Sequence, residues 1–443
     1  MTKQNPQEIF TKPILQWWSE HGRKDLPWQK NKTPYRTWVS EIMLQQTQVK
    51  TVIPYFTKFI SSFPEINDLA NAKQSEVMSH WSGLGYYSRA RNLHKAAVII
   101  KNDYGGIFPR NYDDINALPG IGPSTAGAIL SLNNIEPRAI MDGNVKRVLS
   151  RHFFIEGDLA KADSLRRMWK LSESCTPDNE YDVYTQAIMD LGATVCLPKK
   201  YQCDQCPVVK SCVARKEGKV DLIPQKKAKK QKRKIEYNFL VIRSEDRFLL
   251  EQRDAKGIWP GLWSFPALET DEKVESWIKS NTGINKFNCQ SDMDSFTHSL
   301  SHIDIQIKPV IIDISDTKVQ RLKKNMAFIK AQKMNSIATS KAVKKLLIDY
   351  NLQMTKKIYC EYYKRDLEQM ERPPYPGSLG ERIHLNISKE AWELWLQHQT
   401  MLINENRLSM VDPSARAYLQ NEMIKFLFEG TSEKPKEYIP PTQ

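Results

Sequence analysis

Four of the seven cysteines in the sequence are crowded into one short stretch. They are Cys196, Cys203, Cys206 and Cys212, with the spacing C-x6-C-x2-C-x5-C. Four thiolates in one loop can close around a single metal centre, and both zinc and a [4Fe–4S] cluster accept such a ligand set. A zinc ribbon usually has two C-x2-C pairs, whereas only one occurs here, so the spacing favours one [4Fe–4S] cluster. This use of cysteine indicates a reducing cytoplasm rather than a secreted disulfide framework.

Two carboxylates are candidates for acid–base chemistry, although each also has an ordinary structural explanation. Asp142 lies in the segment Met141–Val148, MDGNVKRV, and could simply cap the helix that follows it. Glu41 precedes the glutamine-rich stretch IMLQQT and, taken alone, is typical of a solvated helix face. Without further context the structural role is favoured for both residues.

A glycine-rich turn between two helical stretches could bind a phosphate group. The turn covers Leu118–Ala126, LPGIGPSTA. Its two glycines permit positive φ and close backbone approach, and the hydroxyl side chains after them could cap the second helix. Backbone N–H groups and the helix dipole would then form an anion site, although an ordinary inter-helix turn is the alternative. The residues concerned are Gly120, Gly122, Ser124 and Thr125.

Four segments of different character follow one another along the chain. Residues 1–223 have apolar residues at three- and four-residue steps and predict a helical domain. Residues 224–234, PQKKAKKQKRK, predict a solvated basic linker or a DNA-facing tether that is too polar to pack. Residues 235–350 predict an α+β domain, and residues 354–443 a small, mainly helical domain. The predicted strands are Tyr237–Arg243, Arg247–Arg253 and Ile303–Ile312, and the predicted helices of the α+β domain are Glu272–Ser280 and Ala338–Tyr350.

The charge of the chain is unevenly distributed. The whole sequence carries a formal net charge of +14, yet residues 354–443 contain 12 Lys and Arg against 13 Asp and Glu. The excess positive charge therefore lies in the first 353 residues, where we expect a polyanion such as DNA to bind. A run of 18 apolar residues and the apolar core of a signal peptide are both absent from the sequence, so no membrane partner is expected.

Together these motifs resemble the MutY family of adenine glycosylases, within the helix-hairpin-helix superfamily. The resemblance covers residues 10–350 and implies an adenine-specific DNA glycosylase for base-excision repair. Its expected partner is double-stranded DNA with an A:8-oxoguanine or A:G mispair, on which a single chain would act. The matching stretches are Leu26–Trp28, Trp38–Gln48, Gly83–Arg89, Leu118–Ala126, Met141–Val145 and the four-cysteine loop.

The resemblance implies a role for each candidate residue. Glu41 would protonate adenine N7, Asp142 would stabilise the oxocarbenium-like sugar, and Asn144 would orient Asp142 and water. The target base must leave the duplex, with Gln46 and Tyr86 as wedges that fill or strain the vacated stack. The adenine pocket would be lined by Lys24, Leu26, Trp28 and Gln186. The DNA backbone would meet Gly120, Gly122 and Ser124.

Ser124 distinguishes two possible activities. Endonuclease III, which is similar and has the same cluster, carries a lysine there that forms a Schiff base and cleaves the strand. A serine hydroxyl cannot form an imine, so we expect a monofunctional enzyme rather than a bifunctional lyase. A non-catalytic DNA-binding iron–sulfur protein is the other alternative, and the matching contexts of Glu41 and Asp142 argue against it.

Residues 235–350 resemble the MutT-like domain with which this family recognises 8-oxoguanine. The stretch Ile258–Pro266, IWPGLWSFP, is a close match, but no acidic Nudix box follows it, so pyrophosphatase activity is not expected. The recognition loop, often Phe-Ser-His in relatives, has the sequence Leu300-Ser301-His302 here. Leu300 would keep an apolar contact without ring stacking, while Ser301 and His302 offer hydrogen bonds to the oxidised base.

Residues 354–443 resemble the small bacterial YggX family of Fe(II)-trafficking proteins. The matching stretches are Ile383–Trp392, Gln397–Glu405 and Phe426–Gly430. Met354 stands where a separate protein would begin, which indicates a gene fusion in a bacterial cytoplasm, where the protein would act at the nucleoid. The resemblance implies labile Fe(II), but His384, His398 and Cys360 form no recognisable metal motif. Cys360 is a candidate redox thiol, and a protective or protein-docking module is the alternative.

Overall fold

Residues 5–223, called the helical region here, fold as the spacing of their apolar side chains predicts. Helix starts are set by local capping, as at Thr33, whose hydroxyl accepts a hydrogen bond from Arg36 N at 3.2 Å, with Pro34 in the first turn. The helices are α1 (Lys12–His21), α2 (Pro34–Leu44), α3 (Val49–Ser62), α4 (Ile66–Asn71), α5 (Gln74–His80), α6 (Ser88–Asp103), α7 (Tyr112–Ala117), α8 (Pro123–Leu132), α9 (Gly143–His152), α10 (Ala162–Cys175), α11 (Tyr181–Thr194) and α12 (Val213–Lys216).

This computed structural model describes most, but not all, of the 443 residues. The described residues are 5–159, 161–225, 231–244, 246–254, 256–269, 273–284, 287–290, 294–314, 322–334, 336–349, 357–370, 372–375, 377–406, 408 and 412–430. The predicted fusion point Met354, the linker residues 226–230, and Glu272 and Tyr350 lie outside them. The chain forms two units, Met1–Leu346 and Leu347–Gln443. Among the described residues, no helix combines the length and apolar character needed to cross a bilayer.

Residues 233–346 form the predicted mixture of strands and helices, called the α+β region. Strands β1 and β7 pair in parallel over their whole length, from Arg233 opposite Ile303 to Arg243 opposite Asp313. β2 and β4 pair antiparallel with β1, β5 and β6 with β7, and β3 and β8 with β2, while buried side chains of α13 belong to the core of the sheet. The elements are β1 (Arg233–Ser244), β2 (Arg247–Gln252), β3 (Trp263–Ser264), β4 (Ala267–Leu268), α13 (Val274–Thr282), β5 (Asn288–Gln290), β6 (Phe296–Ser299), β7 (Ile303–Asp313), β8 (Met326–Lys330) and α14 (Lys341–Asp349).

The basic linker is shorter than predicted, because its last residues join the sheet. Arg233 and Lys234 already belong to β1. The Lys232 ammonium group contacts Asp304 Oδ1 at 3.0 Å, so a neighbouring carboxylate compensates its charge. Arg233 and Lys234 are exposed, as expected for the basic segment, but they belong to a strand rather than to the linker.

The unit Leu347–Gln443 has a small core of its own. Its elements are β9 (Lys357–Cys360), β10 (Arg365–Glu368), α15 (Ser378–Asn386), α16 (Lys389–Glu405) and α17 (Pro413–Ile424). Buried side chains from the strands and all three helices pack together, among them Cys360, Ile383, Trp395 and Leu419. The mainly helical prediction is confirmed, and the structure adds an antiparallel β9–β10 hairpin.

Candidate active site

A cavity of about 750 Å³ lies within the helical region. It is lined by side chains from α2, from the loop after α2, and from α8, α9 and α11. Of the residues predicted from the sequence, it brings together Leu26, Trp28, Glu41, Gln46, Ser124, Asp142, Asn144 and Gln186. Residues more than 140 positions apart therefore meet around one space that is large enough for a nucleobase and part of its sugar.

Asp142 caps a helix and also faces the cavity. It is the N-cap of α9, where its Oδ1 accepts a hydrogen bond from Val145 N at 2.7 Å. Its Oδ2 accepts one from Asn144 Nδ2 at 3.2 Å, and the carboxyl group also lines the cavity. Burial raises the pKa of Asp142, whereas these hydrogen bonds and the charge of Arg147 oppose that rise. The cap thus fixes the direction of the carboxylate at the cavity wall.

Glu41 is in a different electrostatic environment, although it faces the same cavity. Loss of water around the carboxyl group, and then repulsion by Asp142, raise the pKa of Glu41 from 4.5 to about 7. A carboxyl group with such a pKa is about half protonated at neutral pH, so a substantial fraction can donate a proton to a ligand. Two nearby carboxyl groups with different partners are the usual arrangement for an acid and a charge stabiliser.

The orientation of the Gln186 amide is fixed by Asp190, one turn along α11. Gln186 Nε2 donates to Asp190 Oδ1 at 2.9 Å. The same carboxylate accepts from Trp18 Nε1 at 3.0 Å and from Arg23 Nε at 2.9 Å. Since a carboxylate paired with arginine accepts hydrogen bonds, the amide must present its NH₂ group to Asp190 and keep Oε1 for another partner.

Lys24, which was predicted to line the same pocket, is not among the cavity residues. Its Nζ donates to Ser19 O at 2.5 Å and lies 5.4 Å from the Trp18 ring centroid. The neighbouring Arg23 lines the cavity instead.

The two predicted wedge residues have unusual backbone conformations. Gln46 and Tyr86 have φ values of 56° and 51°, in the left-handed region that side chains with a Cβ rarely adopt. Tyr86 is 48% exposed. Arg89, which is buried, donates to Gln45 O at 2.6 Å and to Gly85 O at 3.1 Å. One guanidinium group therefore joins the two strained loops, which is typical of segments held ready for a ligand.

The turn between α7 and α8 differs in detail from its prediction. Gly120 has a φ of +83°, as expected, but Gly122 has a φ of −110° and is the N-cap of α8. The capping role predicted for Ser124 is wrong, because its hydroxyl accepts from Met141 N at 2.9 Å instead. That bond ties the start of α8 to the residue preceding Asp142. Ser124 consequently lies on the cavity wall.

The four predicted metal ligands line one small cavity, together with Arg151 and Arg215. Arg151 Nη1 donates to Cys196 Sγ at 3.4 Å, and burial raises the pKa of Cys206 to about 12. Four thiols around one enclosed space, beside two guanidinium groups, fit an anionic group held by thiolates. The four sulfurs line the wall of this space without meeting at one point, because among the described residues no three His, Cys, Asp or Glu side chains are grouped closely enough to hold a single metal ion.

Helix α9 connects this cysteine loop with the cavity. Arg147 Nη2 donates to Asn144 Oδ1 at 2.8 Å, and Arg147 Nε donates to Cys196 O at 2.7 Å. Sequence reasoning missed Arg147, Arg151 and Asp190. The four-residue spacings Arg147–Arg151 and Gln186–Asp190 place each pair on one helix face, and that was the available signal.

The predicted recognition loop is the tip of the hairpin between β6 and β7. Leu300 is half-buried, whereas Ser301 and His302 are exposed. Ser301 Oγ lies 3.1 Å from His302 Nδ1, and Ser299 Oγ donates to Asp304 Oδ1 at 2.7 Å. The tip of the hairpin therefore presents two exposed polar side chains, and hydrogen bonds hold the ends of the strands next to it.

The three candidate iron ligands of the C-terminal unit are engaged elsewhere. His384 Nε2 lies 2.9 Å from Met370 O, and the His398 ring stacks on Phe426 with centroids 4.7 Å apart. Cys360 is fully buried, and its sulfur accepts a hydrogen bond from Ser388 N at 3.3 Å. Burial alone would raise the pKa of Cys360, but hydrogen bonds, chiefly from Ser388, lower it overall.

Three protein-family models match the chain. The model for the HhH-GPD superfamily base excision DNA repair protein matches residues 39–174. The NUDIX domain model matches residues 238–349, and the bacterial Fe(2+) trafficking model matches residues 354–441. Both resemblances predicted from the motifs are thereby confirmed.

Relatives from other organisms are adenine DNA glycosylases. The adenine DNA glycosylase of Buchnera aphidicola subsp. Acyrthosiphon pisum is 45% identical over 305 residues, which cover 69% of this chain and 86% of that protein. The adenine DNA glycosylase of Homo sapiens is 30% identical over 407 residues, covering 78% of this chain and 74% of that protein. Among solved structures, a thermostable thymine-DNA glycosylase is 29% identical, with a TM-score of 0.45, and covers 49% of this chain and 100% of that structure.

Proposed function

Because the chain belongs to the adenine DNA glycosylase family, and is thus a DNA-binding repair enzyme that hydrolyses N-glycosyl bonds, we propose that it removes adenine opposite 8-oxoguanine or guanine. The observation that carries this proposal is the pair of carboxyl groups, Glu41 and Asp142, at the wall of one cavity. The catalytic domain would be residues 1–223, the lesion-reading domain 235–350 and the iron-associated domain 354–443. One chain would suffice, because the cavity is lined by a single helical region.

In the proposed reaction, Glu41 donates a proton to N7 of the extruded adenine. Protonation makes the base a better leaving group, and the raised pKa of Glu41 supports this role. As the bond between base and sugar breaks, positive charge develops on the sugar, and the Asp142 carboxylate stabilises it, through the charge alone or through a transient ester. Asn144 donates to Asp142 and accepts from Arg147, so it would hold the carboxylate while water attacks.

The adenine pocket in this proposal is formed by Leu26, Trp28 and Gln186. The indole of Trp28 packs edge-on against Phe56 with ring centroids 5.5 Å apart, which supports a flat, apolar wall for a base. Gln186 has Oε1 available to accept from the exocyclic amino group of adenine, since its Nε2 is bonded to Asp190. Gln46 and Tyr86 would fill or strain the stack that adenine leaves.

Lesion reading is assigned to the β6–β7 hairpin. 8-Oxoguanine differs from guanine by its 8-oxo group and by N7–H, which is a donor only in the oxidised base. Ser301 can accept that hydrogen bond, and His302 can hold the loop or contact the backbone, since both are exposed at the hairpin tip. Leu300 supplies an apolar contact.

Ser124 supports a monofunctional reaction that releases the base and leaves the strand intact. Its hydroxyl lines the cavity and accepts a hydrogen bond from Met141 N, and a hydroxyl cannot form a Schiff base. We further propose that the four cysteines hold one [4Fe–4S] cluster, which would stabilise the loop that α9 connects to Asp142. For the C-terminal unit, an Fe(II)-associated role is supported by the family match alone.

The experiment that tests the proposal measures single-turnover excision from duplexes with A:8-oxoguanine, A:G and A:C pairs, each with and without alkali. We expect fastest release from A:8-oxoguanine, and strand breaks only after alkali. Strand cleavage without alkali, trapped by borohydride, would contradict the monofunctional assignment. In the same preparation, broad absorbance near ~400 nm that Cys203→Ser abolishes would support the cluster, whereas stoichiometric zinc would favour the alternative.

A further inference from the structure

The loop that carries Tyr86 is fastened to the α+β region by the next residue. Tyr87 OH accepts a hydrogen bond from Gly83 N at 3.1 Å and donates one to Thr339 O at 2.8 Å. Ser82 Oγ also lies within reach of Thr339 O, at 3.4 Å. One phenolic hydroxyl therefore joins the Tyr86 loop to the α+β region, and Thr339 is completely buried at that junction.

We propose that Tyr87 is a positioning residue, whose hydroxyl holds the Tyr86 wedge in register with the hairpin that reads 8-oxoguanine. The inference rests on the proposed lesion-reading function and extends it to how that reading assists base removal. Tyr87 itself is half-buried and is not among the residues that line the catalytic cavity. It would act through the loop.

The loop needs such support because its backbone conformation is high in free energy. Gly83, Gly85 and Tyr86 have φ values of 100°, 85° and 51° within four residues. Glycine tolerates these angles, but tyrosine in this conformation costs free energy that the surroundings must supply. Arg89 holds the loop from the catalytic side through Gly85 O, and Tyr87 holds it from the side of the α+β region.

A second contact connects α6, which begins directly after Tyr87, to the part of the α+β region that packs against the β6–β7 hairpin. Arg91 Nη1, one turn beyond Tyr87, donates to Pro260 O at 2.9 Å. The preceding residue, Trp259, has a φ of 54° and packs edge-on against the His298 ring, with centroids 5.4 Å apart. His298 lies on β6, two residues before Leu300.

The two residues of the α+β region that receive these hydrogen bonds, Thr339 and Pro260, are also connected to each other through the backbone. Trp263 N donates to Ala338 O at 2.9 Å, and Trp263 forms a parallel bridge with Thr339. The segment 259–263 and Thr339 are therefore fixed to each other beneath the hairpin. Because adenine and its partner base lie on opposite strands, a wedge held at a constant distance from the reading loop enters the duplex only where the lesion is read.

The isosteric variant Tyr87→Phe tests this inference, because it removes one oxygen and keeps the ring. Single-turnover excision would be measured on A:8-oxoguanine and A:G duplexes, alone and combined with Ser301→Ala. We expect Tyr87→Phe to slow A:8-oxoguanine excision by about fivefold to tenfold, with a smaller effect on A:G. When Ser301→Ala is already present, Tyr87→Phe should lower A:8-oxoguanine excision little more than A:G excision. The reason is that Tyr87 would act only through the lesion reading that Ser301 provides.

Tyr55→Phe is the matched control. Tyr55 OH donates to Ser82 O at 3.0 Å, so it supports the same loop from within the helical region. Loss of the Tyr55 hydroxyl should slow excision from the A:8-oxoguanine and A:G duplexes by the same factor. The proposal is overturned if Tyr87→Phe leaves both rates unchanged, or lowers both equally as a merely structural residue would. If wild type shows no preference for 8-oxoguanine, or Ser301→Ala keeps it in full, lesion reading by this hairpin fails and the inference fails with it.

Discussion

The cavity of the helical region and the core of the C-terminal unit both contain titratable side chains that are half-buried or buried, but these groups have very different surroundings. Around the cavity, Glu41 and Asp142 face an open space of about 750 Å³. In the C-terminal unit, the imidazole of His398 stacks on Phe426, and the buried Cys360 thiol is hydrogen-bonded chiefly by Ser388. Residue types suited to chemistry are present in both regions, and among the described residues those of the helical region line a space large enough for a substrate. Space and unfilled hydrogen-bonding capacity, rather than composition, distinguish a site from a core.

The largest effects should come from removing the two carboxyl functions. Glu41→Gln cannot protonate N7, and Asp142→Asn removes the negative charge that faces the developing cation. Each should lower single-turnover excision by about 10²–10⁴-fold while the duplex still binds. Asp142→Asn can still accept the hydrogen bond from Val145 N, so α9 should keep its cap and the variant its fold. Near-normal excision by either variant would remove the basis for placing the chemistry in this cavity.

The pKa of Glu41 predicts how excision and stability depend on pH. Because the acid form is needed and the pKa is about 7, the single-turnover rate should fall by about tenfold per pH unit well above 7. A carboxyl group whose pKa is raised by folding contributes stability at low pH, and this contribution is lost as the pH rises through the folded-state pKa.

Thermal unfolding of Glu41→Gln and wild type at two pH values separates this effect from catalysis. The variant should be more stable than wild type at pH ~8, and the difference should shrink at pH ~5. A stability difference that does not change with pH, together with a flat rate profile, would show that Glu41 is already ionised in the cavity.

A smaller effect is expected for base selectivity at Gln186. With Nε2 bonded to Asp190, Oε1 would accept from the adenine amino group. Gln186→Leu should therefore lower excision of adenine relative to purine, which lacks that group, by about fivefold to twentyfold. Asp190→Asn should lower the same ratio, because one amide oxygen cannot accept from Gln186, Trp18 and Arg23 together, and it should also destabilise the fold by about 3–5 kcal/mol, since Arg23 loses its charged partner. A ratio that stays constant in Gln186→Leu would refute the contact.

How far the sequence predicts this site depends on whether a role can be decided locally. The spacing of the four cysteines predicts that they line one space, and the context of Asp142 predicts an N-cap, because spacing along one loop or helix start determines where these residues lie. Lys24 and Arg23 are adjacent, and only the packing of α1 against α11 decides that Arg23 faces the cavity. Ser124 accepts from Met141 N, 17 residues away, instead of capping α8. Such choices depend on tertiary register, which short-range patterns do not contain.

The smallest effect should follow from removing the C-terminal unit altogether. A chain ending at Tyr350 loses 12 Lys and Arg and 13 Asp and Glu with residues 354–443, so the positive charge of the first 353 residues stays. The salt dependence of duplex binding reflects the number of phosphate contacts and should be unchanged. Every residue proposed for chemistry or lesion reading lies in Met1–Leu346, so the excision rates and the preference for 8-oxoguanine should also stay within about twofold of those of the full chain.

Cys360→Ser in the full chain is the matched control, because it alters the buried thiol without shortening the protein. If truncation slows excision but Cys360→Ser does not, the C-terminal unit supports repair through its surface. If the truncation and Cys360→Ser both slow excision, the Cys360 thiol itself takes part in repair. In that case an open cavity is not what distinguishes the functional region of the molecule from the core of the C-terminal unit.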